Sequence, residues 1–115
     1  MSGLTKTNVQ IGDSSTATQN FVLSVPASPD GTIKLARGNF GATTQDVLTV
    51  ASTGVVTATQ GFTVGTLNIL FGAGVPSVSA TQGSLYLRTD GSSTSTRMYV
   101  NTNGSTGWTN LVTAA

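Results

Sequence analysis

A strict alternation of apolar and polar residues near the C-terminus constrains the fold of this chain more than any other feature. Leu85 and Leu87 alternate with Tyr86 and Arg88, and the same two-residue period returns at residues 98–100. Successive side chains of a β-strand point to opposite faces, so this period predicts half-buried strands.

Turn signals separate these strands and close the pattern. Asp90-Gly91 and Asn103-Gly104 interrupt the alternation with residues that tolerate the backbone angles of tight turns. Trp108 begins a third apolar piece that ends at Val112. Residues 83–112 therefore predict a three-stranded antiparallel meander, which holds the only Trp and both Tyr of the chain.

Further strand candidates precede the meander, with turn signals about every ten residues. They are residues 20–25, 32–36, 46–50, 55–58 and 63–71. The first two flank a turn rich in Pro and Gly, and the next two flank Ser52-Thr53-Gly54, so each pair predicts a hairpin. The best position for a short helix is residues 43–47, where Thr44 offers a cap.

The composition agrees with a β fold. Only 8% of the residues are charged and there is no Glu, whereas Ser and Thr number 13 and 21. Thr and Val favour strands, and the strong helix formers are sparse. We expect an all-β fold of antiparallel hairpins and a meander, either sandwich-like or jelly-roll-like or an intertwined β trimer, with little or no helix.

The chain has few large apolar side chains from which to build an independent core. Much of the 37% hydrophobic fraction is Ala and Val, so sharing a core between subunits would supply the missing burial. A thin monomeric sandwich is the alternative. We expect three segments: residues 1–72 with the N-terminal arm and hairpins, a linker at 73–82 where Gly, Pro and Ser cluster, and the meander at 83–115.

The residues that carry most enzyme chemistry are missing. There is no His and no Cys, which removes the commonest general base, the commonest metal ligand and thiol nucleophiles. The only acids are Asp13, Asp30, Asp46 and Asp90. Asp30 and Asp90 each precede a Gly and are interpreted as turn residues, and Asp46 as a cap at a strand start. We therefore expect no catalytic residue, no cofactor, no metal site and no enzyme activity.

Surface chemistry excludes two further classes of partner. The five basic residues are scattered, so no patch indicates a nucleic acid, and no apolar run is long enough to span a membrane. The aromatic residues of the meander fit either a sugar-binding platform or packing in the core or between subunits. Arg88 and Arg97 flank the Asp90-Gly91 loop, and either bind an acidic partner or lie at a solvated edge.

Several of these segments resemble known viral building blocks. The runs at residues 83–91, 97–102 and 107–108 resemble a segment that recurs in virion proteins of tailed bacteriophages. Residues 9–13 and 30–50 resemble segments of phage tail-fibre and head-decoration proteins. The resemblance spans most of the chain and implies a homotrimer whose strands pack around one axis.

The resemblance leaves two functions open. In the first, the chain is a capsid decoration (cement) protein that binds the major capsid protein at threefold or quasi-threefold positions on the outer surface of the head. In the second, it is a short tail-fibre, head-fibre or receptor-binding tip protein, associated with tail or fibre proteins, whose loops at 92–96 and 101–107 contact host surface glycans. Either protein is made in the host cytoplasm and located in the virion.

These functions imply two sets of contact residues. Residues 1–72 would form the attachment half, and the meander would form the trimerisation or outward-facing module. The capsid attachment residues are Leu4, Val9 and Ile11. The oligomer interface residues are Leu85, Tyr86, Leu87, Met98, Tyr99, Val100 and Trp108.

Overall fold

The structure is a computed structural model that describes residues 8–115, and it confirms the all-β prediction. The described chain contains ten strands and a single three-residue 3-10 turn at Ala17–Gln19. It divides into two compact units between Thr59 and Gln60. Each unit contains one five-stranded sheet.

The sheet of the first unit is a simple antiparallel ladder in chain order. Its strands are β1 (Asn8–Ile11), β2 (Phe21–Ser24), β3 (Ile33–Asn39), β4 (Ala42–Val50) and β5 (Val56–Ala58). The two predicted hairpins, β2–β3 and β4–β5, are confirmed.

The turn between β2 and β3 forms for the reason that the sequence indicates. The Asp30 side chain accepts a hydrogen bond from the Thr32 N–H at 2.9 Å, which closes a local turn. Gly31 follows with a φ of 89°, a value that residues with a Cβ rarely adopt. Asp30 is therefore a turn residue, as predicted.

The sheet of the second unit has the order β10-β9-β8-β7-β6. Its strands are β6 (Phe62–Val64), β7 (Leu67–Gly72), β8 (Leu85–Arg88), β9 (Met98–Asn101) and β10 (Trp108–Leu111). Strands β8, β9 and β10 form the predicted antiparallel meander. The candidate strand at residues 63–71 is in fact a hairpin of two strands, β6 and β7.

One strand pair in the second unit is parallel, which the sequence analysis did not predict. Ile69 to Gly72 of β7 pair with Leu85 to Arg88 of β8. Parallel neighbours cannot be joined by a tight turn, so the chain must cross over between them. Residues 73–84 make that crossover, and the stretch predicted as a linker at 73–82 is part of it.

The structure also differs from the sequence prediction in two local assignments. Residues 60–72 were assigned to the N-terminal half, but they pair within the sheet of the second unit. The short helix considered at residues 43–47 is wrong, because this segment lies inside β4. The backbone of this segment pairs with β3. The register shifts between Leu35 and Ala36 and again between Arg37 and Gly38.

Strand pairing gives each sheet one face that is mostly apolar. In the first sheet this face contains pairs such as Val9 with Leu23, Leu23 with Leu35, and Leu35 with Leu48. The small fully buried pair of this sheet, Val22 and Ala36, lies on the other face. Side chains of paired residues share a face, so the register determines which residues meet.

Candidate functional site

The register of the second sheet divides the predicted interface residues between its two faces. Tyr86 pairs with Tyr99, and Trp108 pairs with Asn101, two positions along the strand from Tyr99. These aromatic residues share one side of the sheet, here called the covered face. The opposite side carries Leu85, Leu87, Met98 and Val100.

The crossover at residues 73–84 lies over the covered face. Pro76 and Val78 of the crossover line a shallow cleft of about 310 Å³ together with Leu70 and Tyr86. The Trp108 Nε1–H donates a hydrogen bond to the Val78 carbonyl oxygen at 2.8 Å. The side chains under this layer are consequently buried.

The aromatic residues form the packed centre of the covered face. Tyr86 and Tyr99 are only 8% and 7% exposed. The ring of Trp108 meets that of Tyr86 edge to face, with centroids 5.8 Å apart and an interplanar angle of 63°. This is a favourable arrangement for two aromatic quadrupoles. Packing is therefore the observed role of these aromatic residues, and they do not form an exposed platform for sugars.

Gly72 is required where the covered face is most crowded. A Cβ built on Gly72 would collide with the Tyr86 hydroxyl and lie 3.1 Å from its Cζ. The phenol of Tyr86 thus lies across the end of β7. This close approach requires a residue without a side chain.

A buried amide organises the loop between β9 and β10. The Asn101 side chain is 1% exposed. Its Nδ2 donates to the Ser105 carbonyl at 2.6 Å, and its Oδ1 accepts from the N–H groups of Asn103 and Gly104. Asn103 in turn accepts from the N–H groups of Ser105 and Gly107. These bonds hold residues 102–107 in one conformation.

The first unit contains an analogous buried amide. The Asn20 side chain is 1% exposed. Its Oδ1 accepts from the Ser14 N–H at 2.9 Å, and its Nδ2 donates to the Ser14 carbonyl and to Asn39 Oδ1. Sequence reasoning missed both Asn20 and Asn101. For Asn101 a signal was present, because it follows Tyr99 by two positions and therefore lies on the same face.

Arg88 and Asp90 form a double hydrogen bond at the end of β8. The Arg88 Nε and Nη2 atoms lie 2.9 Å from the two carboxylate oxygens of Asp90. Asp90 also accepts from the Gly74 N–H at 3.0 Å. The Arg88 guanidinium, followed by the Gly74 N–H, holds the pKa of Asp90 well below its usual value. Asp90 thus holds the start of the crossover in place, in addition to lying in the predicted turn.

Two further basic residues, Arg97 and Lys34, also bind groups of the chain itself. Arg97 donates to Thr113 Oγ1 and to the Ala114 carbonyl. Lys34 lies 3.0 Å from Asp46, and both side chains are well exposed. Asp46 was interpreted as a cap at a strand start, which is wrong, because it lies inside β4. Its ion pair with Lys34 joins two neighbouring strands.

The predicted attachment residues lie on the first strand. Val9 and Ile11 are in β1 and pair with Leu23 and Phe21. They lie on the apolar face of the first sheet, where Ile11 remains 57% exposed. Leu4 lies outside the described residues.

The open side of the second sheet, here called the open face, is the main unexplained surface. It consists of ten apolar side chains from all five strands, as the register requires. They are Phe62, Val64, Leu67, Ile69, Phe71, Leu85, Leu87, Met98, Val100 and Leu111. Six of the ten are 38–58% exposed, and none is fully buried. An apolar patch of this kind is often functional.

Metal-binding groups and membrane-spanning helices are both absent from the part of the chain that the structure describes. Within residues 8–115, no group of three or more His, Cys, Asp or Glu side chains is arranged to hold a metal ion. The same residues contain no helix that is long and apolar enough to cross a membrane.

Comparisons with protein-family models, with curated proteins and with solved structures found no significant match.

Proposed function

We propose that this chain is a non-enzymatic structural protein of a tailed-phage virion, and that it decorates the capsid as a homotrimer at threefold or quasi-threefold positions. Its partners are other copies of itself and the major capsid protein. The observation that carries the proposal is the open face, a sheet surface with ten apolar side chains, six of which are 38–58% exposed. Burial of such a surface in an assembly removes apolar area from water and is favourable.

The chemistry of the chain supports an assembly role. Ion pairs and hydrogen bonds within the chain engage the charged groups of Lys34, Asp46, Arg88 and Asp90. The paired groups serve to fix strands and the crossover. The runs at residues 83–91, 97–102 and 107–108 resemble segments of phage virion proteins, which is why we propose a virion as the assembly.

The first unit is the proposed attachment half. Its sheet carries a second apolar face, on which Ile11, Leu23, Ile33 and Val56 are each at least 37% exposed. Strand β1 is the first strand of the sheet order, and the edge of a sheet is where an extended segment of another chain can add as a further strand. Val9 and Ile11 lie on this strand and would contact the capsid protein.

A head-binding assay tests the proposal. Purified protein is mixed with heads of the parent phage that lack it, and bound protein is measured after sedimentation. We expect saturable binding at a stoichiometry of one trimer per threefold or quasi-threefold position. Absence of binding to heads, with a folded protein, would refute the decoration function.

A pair of variants tests the attachment residues. Ile11→Lys places a charge on the exposed apolar edge and is expected to weaken head binding at least tenfold. Thr53→Lys, in the exposed turn between β4 and β5, is the matched control and should bind as the wild type does. A truncation of residues 1–7 ends before β1 and tests the contribution of the segment that contains Leu4. Equal binding of Ile11→Lys and Thr53→Lys would exclude β1 from the contact.

The fibre or receptor-tip function is the second candidate, supported by the polar loops at 92–96 and 101–107. The hydrogen bonds of Asn101 and Asn103 hold the second loop rigid, and rigidity lowers the entropic cost of binding a glycan. Copy number separates the two functions. Hundreds of copies per particle, measured against the major capsid protein by quantitative mass spectrometry, support decoration, and a few dozen or fewer support a fibre.

A further inference from the structure

We propose that the open face of the second sheet is the surface through which copies of this chain associate, with the open faces of the three copies turned towards one shared axis. The inference rests on the proposed function, because that function requires copies to assemble. The inference goes beyond that function by naming the surface that the copies share. The occupant of the open face is therefore a second copy of the chain.

The composition of the open face fits a partner of the same kind. Register places eleven side chains on it, and Thr109 is the only polar one among them. Because it has no charged group, two copies meet without repulsion between like charges. Two flat apolar sheet faces pack at about 10 Å, with their side chains interdigitated.

The open face offers few groups that a different protein could bind specifically. Specific contacts between different proteins depend on placed charges and hydrogen-bonding groups at the interface. The apolar face of the first sheet has such a group, since the Arg37 guanidinium lies 5.9 Å from the centre of the Phe21 ring. The open face has only the Thr109 hydroxyl, so another copy, which presents the same apolar surface, is the partner that fits it best.

The size of the open face is sufficient for association. With about 150–250 Å² for a whole aromatic side chain and less for Val and Leu, the six most exposed side chains present roughly 500 Å². Two faces would together bury on the order of 1,000 Å², which is the lower limit for a specific interface. The four half-buried residues add to this area.

The position of Leu87 makes it the best residue for a test. It lies on β8, the middle strand of five, and is 40% exposed. Leu87→Lys puts a charge at the centre of the open face, and burial of an unpaired charge is strongly unfavourable. Val75→Lys is the matched control, because Val75 belongs to the same unit and is 67% exposed but lies in the crossover.

Sedimentation velocity on the purified full chain, without heads, measures the effect. We expect the wild type and Val75→Lys to be oligomeric at low micromolar concentration, and Leu87→Lys to associate at least tenfold more weakly. Phe62→Lys, at the edge strand of the same face, should act in the same direction and replaces Leu87→Lys if far-UV circular dichroism shows that the latter is unfolded. A monomeric wild type, or an oligomer that neither substitution weakens, would overturn the inference.

A cysteine probe adds a readout that needs no charge. The chain has no Cys, so Leu87→Cys introduces a single thiol on the open face. We expect slow reaction with a bulky maleimide in the oligomer and fast reaction after dilution to the monomer. Fast reaction at every concentration would contradict the inference. So would slow reaction in the monomer, because the chain itself would then cover the face.

The same experiments separate this inference from the proposed function. Oligomers that depend on Leu87 but do not bind heads would support the shared face and refute capsid decoration. Head binding by a protein that does not self-associate would support binding to the capsid and refute the shared face.

Discussion

Trp108 on the last strand is hydrogen-bonded to Val78 in the crossover, with 2.8 Å between the indole Nε1 and the carbonyl oxygen. The two residues are thirty positions apart in the chain. The bond joins an edge strand of the sheet to the segment that covers it. Strand β10 is consequently held on its flank by β9 and from above by the crossover.

Trp108→Phe removes this bond and keeps an aromatic ring next to Tyr86. We expect the variant to unfold at lower urea concentration, with a loss of about 1 kcal/mol in the free energy of unfolding. Trp108→Ala should lose more, because the ring contact with Tyr86 disappears too. Trp108 is the only Trp, so unfolding is followed by far-UV circular dichroism. Equal stability of wild type and Trp108→Phe would show that the bond contributes nothing.

Gly72→Ala is expected to destabilise the second unit by about 1–3 kcal/mol, because its methyl group overlaps the phenol of Tyr86. Tyr86→Phe removes the hydroxyl with which that methyl collides. The double variant should therefore recover part of the loss, and chemical denaturation of the four proteins of this cycle measures the coupling between the two positions. Additive effects would mean that the two side chains do not meet.

The pair of Arg88 and Asp90 predicts a stability that depends on pH. The pKa of Asp90 is lowered, mainly by the hydrogen bonds from the Arg88 guanidinium, and the pKa of Arg88 is raised by the same partner. Below about pH 4 the unfolded chain takes up the Asp90 proton before the folded chain does, so this contribution falls as the pH falls.

Asp90→Asn should remove that dependence. We expect the variant to be less stable than the wild type at neutral pH, and the difference to shrink as the pH falls towards about 2. Thermal unfolding across this pH range provides the measurement. A difference that stays constant with pH would indicate that the carboxylate charge is not what stabilises the folded chain.

Asn101→Ala is expected to cost at least about 2 kcal/mol, since it leaves the Ser105 carbonyl and the Gly104 N–H without their partner. Asn110→Ala, an exposed position on the neighbouring strand, is the matched control and should change stability by less than about 0.5 kcal/mol. Denaturation curves compare the two. Similar losses in both variants would contradict the structural role of Asn101.

Local signals in the sequence predicted the strands well. The alternation around Leu85 and Met98 and the Asp90-Gly91 and Asn103-Gly104 turns produced the meander that the structure confirms. These signals succeed because period and turn chemistry are properties of a few neighbouring residues.

Such local signals did not predict the parallel pairing of β7 with β8. Periodicity shows that residues 67–72 form a strand, but it does not show which strand lies beside it. The same limit applies to the sheet faces. The alternation places Leu85 and Leu87 on one face and Tyr86 on the other, but it does not show which face is covered. The structure covers Tyr86 and Tyr99, because the crossover lies over them.

The crossover also has a consequence for how the chain is made. On the ribosome, the β6–β7 hairpin is synthesised before β8, the parallel neighbour of β7, exists. Until residues 85–88 emerge, the edge of β7 has unpaired backbone groups next to Ile69 and Phe71, the combination most prone to pair with another nascent chain. Rapid synthesis of the next sixteen residues therefore protects this edge, and slow codons between 73 and 88 should lower the yield of native protein.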